Sequence, residues 1–189
     1  MSATNHHVAI TGHANLEKAL GFLLVEPQGQ TYNMAAFDQA YFYLESGLDS
    51  FCTLQGIPKD SLCMISGMAR GADEIAAAFA IRNHLPLILF IPNSIAWHKN
   101  RGLSRGMRAQ AIYYERILSY PNLARIDEVK KDYRGGDYRF ANFARNQAMV
   151  DQADSVFSLQ TYSSSGTDDC VRRAKRAGKF KGNLFPASV

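Results

Sequence analysis

The feature that most constrains the fold of this chain is a short apolar strand. It leads through a glycine-rich turn directly into a helix. The turn is residues 66–73 (SGMARGAD), preceded by an apolar run at 62–65 and followed by an alanine-rich helical segment. Such a turn leaves unpaired backbone N–H groups at the positive end of the helix dipole, where a phosphate or another anion is stabilised. Glycines permit backbone angles, or a close ligand approach, that a side chain would forbid. We therefore expect an anion site formed by Ser66, Gly67, Arg70, Gly71 and Asp73.

A second turn of this kind follows the apolar run 156–159 and reads SSSGTDD at 163–169. We expect Ser165, Gly166 and Thr167 to contact the same ligand, so that two turns share one nucleotide-type pocket. Ser165 with Asp168 three residues later also fits a helix capping box, which is a purely structural alternative. Asp168 and Asp169 would repel a phosphate dianion and suit ribose hydroxyls better, and they are the only weak candidates for catalysis.

Strand-like and helix-like segments alternate along the whole chain. The predicted strands are 7–12, 62–66, 85–91, 123–129 and 155–159, and the predicted helices are 34–53, 72–83, 106–119, 139–152 and 167–177. This alternation predicts one α/β domain over 1–189, a Rossmann-like, doubly wound and mainly parallel sheet flanked by helices on both faces. Ligands of such sheets bind at the carboxyl ends of the strands, where both glycine turns fall.

The composition narrows the class of protein. The three cysteines, Cys52, Cys63 and Cys170, are odd in number and lack metal-ligand spacing, which indicates reduced thiols in a cytoplasmic protein without a metal or cofactor. The N-terminus has no secretory pattern, and no apolar run is long enough to cross a membrane. The formal net charge of +4 permits an anionic ligand without requiring nucleic acid.

Four motifs in order resemble the SLOG superfamily. They are 11–13 (TGH), 66–73 (SGMARGAD), 145–154 (RNQAMVDQAD), and 165–167 (SGT) with 174–179 (AKRAGK). This group includes the Lonely Guy phosphoribohydrolases, the DNA-processing protein of natural transformation, and small YspA-type proteins, which look closest. The resemblance implies a Rossmann-like fold that binds nucleotides or nucleotide-derived signals, often as a homodimer. It also implies ligand contacts by Gly12, His13, Arg145 and Asn146.

Two positions depart from the family pattern. The Lonely Guy enzymes carry a glutamate three residues after a Gly-Thr pair, and Cys170 occupies that position here. A thiol cannot supply the carboxylate that stabilises an oxocarbenium-like transition state. In addition, Ala14 stands where relatives often have an arginine. The resemblance therefore implies a retained anion site and an incomplete catalytic site, and it leaves open whether the protein is an enzyme.

Three functions follow. The first is binding of a phosphorylated nucleotide or ADP-ribose-like ligand by a sensor or sequestering protein, which the missing glutamate favours. The second is a nucleoside 5′-monophosphate phosphoribohydrolase or N-glycosidase in which Asp168 or Asp169 replaces that glutamate. The third, less favoured, is a single-stranded DNA module that uses the basic and aromatic stretch 99–114. An apolar helix at 75–81, together with the family habit, predicts a homodimer.

Overall fold

A single parallel sheet organises the chain. The computed structural model describes residues 5–22, 33–103, 111–130 and 138–186, with the backbone alone at 100–103, 111–113 and 138. The strands are β1 (His6–Gly12), β2 (Leu62–Ser66), β3 (Leu87–Pro92), β4 (Leu123–Val129), β5 (Ser155–Leu159) and β6 (Phe180–Asn183). The helices are α1 (Leu16–Leu20), α2 (Met34–Gln55), α3 (Ala72–Arg82), α4 (Ile95–Leu103), α5 (Ala111–Leu118), α6 (Tyr138–Gln152) and α7 (Ser165–Arg176). A 3₁₀ turn, Lys59–Ser61, leads into β2.

The strand order β4-β3-β2-β1-β5-β6 places β1 inside the sheet, and each neighbouring pair of these strands is parallel. The chain builds outward from β1 through β2 and β3 to β4, and then crosses to the other side of β1 for β5 and β6. Connections therefore leave β1 and β5 in opposite directions. In doubly wound sheets, ligands bind at such a topological switch point, which here lies at the carboxyl ends of β1 and β5.

Two apolar layers cover the sheet. The larger joins side chains of α1, α2, α3 and α5 to one face, and the smaller joins α6 and α7 to the other. Strands β2, β3 and β5 are buried at every position, because helices cover both of their faces. The predicted fold class, a Rossmann-like sheet with helices on both faces, is therefore correct.

The apolar run in α3 was linked, from the sequence, to a dimer partner. In the structure, α3 packs against α2, α5, β1 and β2 of its own chain, and Phe79 lies 6.0 Å from the ring of Tyr41. Burial of α3 thus has an intrachain cause, so this argument for a homodimer was wrong. The expected homodimer then rests on the family resemblance alone.

Three elements were not predicted. Helix α1 has only five residues, too few for a periodic pattern; Asn15 caps it by accepting from the Lys18 N–H at 2.7 Å, and Gly21 ends it with φ 74°. Strand β6 is a short edge strand. Residues 95–103 form α4 instead of a loop, so Lys99 pairs with Glu115 of α5 at 2.5 Å.

Two further points concern the predicted elements. The predicted helix 106–119 is seen as α5, since 104–110 lie outside the described residues. None of the helices in the described ranges is long and apolar enough to span a membrane.

Gly12, at the end of β1, provides a test of this packing. A Cβ on Gly12 would overlap the carbonyl of Leu159 and lie 2.8 Å from the Cβ of Ala72. We expect Gly12→Ala to lower the free energy of unfolding by about 1–3 kcal/mol, because β1 must shift from β5 and α3. Urea denaturation would measure it. The control is Gly166→Ala, where a Cβ would meet nothing within 4 Å; equal losses in both variants would contradict this packing.

Candidate functional site

The two glycine turns lie on either side of the end of β1. The Ala72 N–H, in the first turn of α3, donates to the carbonyl of His13 at 3.1 Å. The Thr167 hydroxyl, in the first turn of α7, donates to the carbonyl of Gly12 at 2.9 Å. The carbonyls of Gly12 and His13, at the end of β1, thus bind both turns. The two turns therefore lie at the same edge of the sheet.

The turn 66–73 is folded onto itself by its own polar groups. The Ser66 hydroxyl donates to the carbonyl of Asp73 at 2.7 Å and accepts from the Met68 N–H at 3.2 Å. Asp73 Oδ2 in turn accepts from the Ala69 N–H at 3.2 Å. The N–H groups of Ala69 and Ala72 are therefore already bonded within the protein, and fewer donors remain for an anion than the sequence suggests.

The two glycines of this turn are explained by contacts within the chain. Gly71 has φ 84°, and a Cβ there would overlap the carbonyl of His13. A Cβ on Gly67 would overlap the guanidinium of Arg145 and lie 2.7 Å from Asp73 Oδ2. Gly71 thus lets the turn approach β1, and Gly67 makes room for an arginine that arrives from α6.

That arginine forms a buried ion pair. Arg145 Nη1 donates to Asp73 Oδ2 at 2.5 Å, and both residues are more than nine-tenths buried. Within the described part of the chain, Nη1 is the only Arg145 nitrogen with a hydrogen bond, and the buried Nε has no partner. The edge with Nε and Nη2 is the one by which a guanidinium binds phosphate or carboxylate oxygens in pairs, and here neither nitrogen is hydrogen-bonded within the described residues.

The second turn presents an open helix terminus. Ser164, one residue before the position predicted for the cap, is the N-cap of α7. The N–H groups of Ser165 and Gly166 have no hydrogen-bond partner among the described residues, and both residues are exposed. A Cβ on Gly166 would meet nothing within 4 Å. The first turn of α7 therefore has free donors and space in front of them.

Asp168 supports this helix terminus. Its carboxylate accepts hydrogen bonds from the Ser163 hydroxyl, the Gln160 side chain and the Ser164 N–H. These hydrogen bonds lower the pKa of Asp168, and the bond from the Ser163 hydroxyl has the largest effect. Asp168 is therefore an ionised cap whose oxygens are engaged by the loop 160–164.

Asp169 and Asn146 join α7 to α6. The Asn146 amide donates to the carbonyl of Gly166 at 3.0 Å and to Asp169 Oδ2 at 3.2 Å, while Arg172 and Arg173 each donate to Asp169 at 2.8 Å. Burial opposes ionisation of Asp169, but these hydrogen bonds outweigh it, and the pKa of Asp169 is lowered. Its carboxylate is thus engaged in ion pairs and hydrogen bonds at the junction of the two helices.

Cys170, at the position of the family glutamate, is fully buried in the smaller apolar layer. Burial raises the pKa of this thiol to about 11, so it is neutral near neutral pH. No group of three or more His, Cys, Asp or Glu suited to a metal ion occurs in the ranges that the structure describes.

His13 braces the loop before α7. Its Nε2 accepts from the N–H groups of Thr161 at 2.9 Å and Tyr162 at 3.1 Å, and its ring stacks on Tyr162 with centroids 3.7 Å apart. Burial lowers the pKa of His13, in agreement with a neutral ring that accepts at Nε2. These bonds fix the loop 160–164 relative to β1, and contact of His13 with a ligand remains a prediction.

Sequence reasoning missed Glu17, which lies at the same edge. Arg70 Nη2 pairs with Glu17 Oε1 at 3.3 Å, and both side chains are more than nine-tenths buried. Glu17 Oε1 also accepts from the Asn33 N–H at 3.1 Å. A single glutamate on a five-residue helix has no pattern that would have identified it.

Comparison with known proteins gives the fold. No family model and no curated protein matches the chain. Among solved structures, the X-ray structure of DNA processing protein A from Streptococcus pneumoniae superposes with a TM-score of 0.54 at 18% identity, covering 98% of this chain and 52% of that one. DNA processing protein A from Helicobacter pylori superposes with a TM-score of 0.50 at 18% identity, covering 95% and 65%.

The chain thus spans between half and two thirds of these neighbours. The likeness confirms the Rossmann-like fold that the SLOG resemblance implied. The YspA subtype remains a prediction from the sequence.

The ion pair between Asp73 and Arg145 gives a stability test. We expect Asp73→Asn to lower the free energy of unfolding by about 3 kcal/mol or more, because Arg145 would remain buried without its counter-charge. The control is Asp49→Asn, which removes the exposed partner of Lys59 at 2.8 Å and should cost about 1 kcal/mol or less. Thermal and urea unfolding would measure both, and equal losses would contradict a buried pair at the site.

Proposed function

We propose that this chain binds a phosphorylated nucleotide or a nucleotide-derived ligand of the ADP-ribose class at the carboxyl edge of the sheet, as a sensor or sequestering protein. The observation that carries the proposal is the buried guanidinium of Arg145, whose Nε has no partner in the described structure. A buried donor on a charged group is costly unless it is hydrogen-bonded. A phosphate would satisfy Nε and Nη2 with two charge-assisted bonds.

The first turn of α7 supports the same ligand. The N–H groups of Ser165 and Gly166 are free in the described structure, and the helix dipole adds partial positive charge there. Asn146 holds the carbonyl of Gly166 and stands next to Arg145 on α6, which brings the helix terminus and the arginine to one region. In this proposal Arg145, Ser165 and Gly166 bind phosphate. The residues that shape the site around them are Gly12, His13, Ser66, Gly67, Arg70, Gly71, Asp73, Asn146 and Thr167.

We propose binding rather than hydrolysis because the side chains at the possible catalytic positions, Cys170, Asp168 and Asp169, are unsuited to acid catalysis. The thiol of Cys170 is buried and neutral. Asp168 caps α7, and Asp169 is paired with two arginines. A general acid in a glycosidase needs a raised pKa, whereas both of these pKa values are lowered.

Arg145→Lys tests the proposal. Lysine keeps a positive charge for Asp73 but loses the planar fork that binds two oxygens. We expect the affinity for AMP or ADP-ribose, measured by native mass spectrometry and calorimetry, to fall by about tenfold or more. The matched control is Arg125→Lys, on the exposed edge strand β4, which should leave the affinity unchanged. Unchanged affinity in a folded Arg145→Lys protein would contradict the phosphate role.

Single-stranded DNA is the second candidate, because DNA processing protein A from Helicobacter pylori, one of the structural neighbours, binds single-stranded DNA. A site for nucleotide phosphate has the chemistry to hold a DNA backbone too. Of the predicted stretch 99–114, the side chains of 100–113 lie outside the described residues; at its two ends, Lys99 is paired with Glu115 and the ring of Tyr114 is fully buried. An exposed aromatic ring is what stacks on an unpaired base.

A fluorescent oligonucleotide titrated at two salt concentrations separates the two candidates. We expect the oligonucleotide to bind more weakly than the best nucleotide, with little effect of Arg145→Lys. Affinity that exceeds that of any nucleotide, falls steeply with salt and is lost in Arg145→Lys would favour DNA instead.

A further inference from the structure

Glu17 has a buried carboxylate oxygen, Oε2, that accepts no hydrogen bond in the described structure. Its side chain is 1% exposed, and Oε1 accepts from both the Asn33 N–H and Arg70 Nη2. Oε2 has no hydrogen-bond partner within the described ranges. An ionised carboxylate only accepts hydrogen bonds and has about four lone-pair positions. An unsatisfied buried oxygen on such a group is uncommon in folded proteins, and a water molecule or a bound ligand can supply the missing donor.

The ion-pair partners of Glu17 and Arg145 both lie in the turn 66–73. Arg70, the partner of Glu17, is three residues before Asp73, the partner of Arg145. The Cα atoms of Arg70 and Asp73 are therefore at most about 11 Å apart. Helix α1 belongs to the larger apolar layer and α6 to the smaller, so Glu17 and Arg145 approach the turn 66–73 from the two faces of the sheet. For both side chains to contact one small molecule, that molecule must lie over this turn.

We propose that Glu17 Oε2 accepts a hydrogen bond from a sugar hydroxyl of the ligand whose phosphate binds Arg145. This inference rests on the proposed function and defines the ligand class as a ribose-containing nucleotide with a free diol. Sugar hydroxyls are the donors nearest to the phosphate in every ribonucleotide. Acidic side chains bind the ribose hydroxyl in the same manner in dinucleotide-binding sheets.

The charges around Glu17 agree with this role. Arg70 balances the carboxylate, so Glu17 adds no net negative charge that would repel a nearby phosphate. A DNA strand lacks the 2′-hydroxyl, and its 3′-oxygen is esterified. Glu17 therefore selects for ribonucleotide over DNA at this edge, and it makes the two candidates of the proposed function experimentally distinct.

The experiment compares AMP with 2′,3′-dideoxy-AMP by isothermal titration calorimetry. We expect the wild-type protein to prefer AMP by about tenfold or more, the effect of one hydrogen bond to a charged group. In Glu17→Gln the carboxylate becomes a neutral amide, and the ratio of the two affinities should fall toward one. The matched control is Glu45→Gln, on the exposed side of α2 beside Lys59, which should keep the wild-type ratio.

The outcomes separate this inference from the proposed function. Equal wild-type affinity for the two ligands, with binding still lost in Arg145→Lys, overturns the role of Glu17 and leaves phosphate binding intact. Absence of binding by both AMP and ADP-ribose contradicts the proposed function and the inference together. Equal affinity of the wild-type protein for the two ligands overturns the inference even if Glu17→Gln fails to fold.

Discussion

The ion pair between Asp73 and Arg145 is the interaction on which the geometry of the site depends. It joins the first turn of α3 to α6 across the carboxyl edge of the sheet, between residues 72 positions apart. A buried ion pair is favourable only when its geometry is good and its remaining atoms are hydrogen-bonded. Asp73 meets this condition by also accepting from Ala69. Arg145 does not, because its Nε has no partner in the described structure. The arginine is therefore the member of the pair with an unused donor.

The glycines show how far local sequence reasoning reaches. The pattern of an apolar strand, a glycine turn and a helix correctly predicted β2, β5 and the helices after them, because each depends on neighbouring residues. The same reasoning gave Gly67 and Gly71 either unusual backbone angles or close ligand approach. Gly71 has φ 84°, and the atoms closest to the two glycines belong to Arg145 and His13. Those contacts join residues far apart in the chain, and nothing in a local window specifies them. Gly166 alone of the three faces open space.

The difference between local patterns and contacts of distant residues also explains which other site residues could be predicted from the sequence. Arg145 is identified through a motif of the SLOG resemblance, but its pairing with Asp73 is not, because the tertiary fold decides which group each side chain meets. Glu17 lies on a helix too short for any periodic signal, so only its burial against Arg70 reveals it. Asp168 and Asp169 look alike in the sequence. The structure separates them into a helix cap and a link between α6 and α7.

Two buried ion pairs at this edge underlie the proposal of a small ligand held by directed bonds, rather than a long polyanion held by net charge. Arg145 is paired with Asp73 and Arg70 with Glu17, so these four buried groups sum to zero. A polyanion gains affinity mainly from several unpaired cations along its backbone. The groups with unused hydrogen-bonding capacity at this edge of the described structure include one arginine edge, two N–H groups at the start of α7 and one carboxylate oxygen. The first three donate and the last accepts, as the proposed ligand, with a phosphate and sugar hydroxyls beside it, requires.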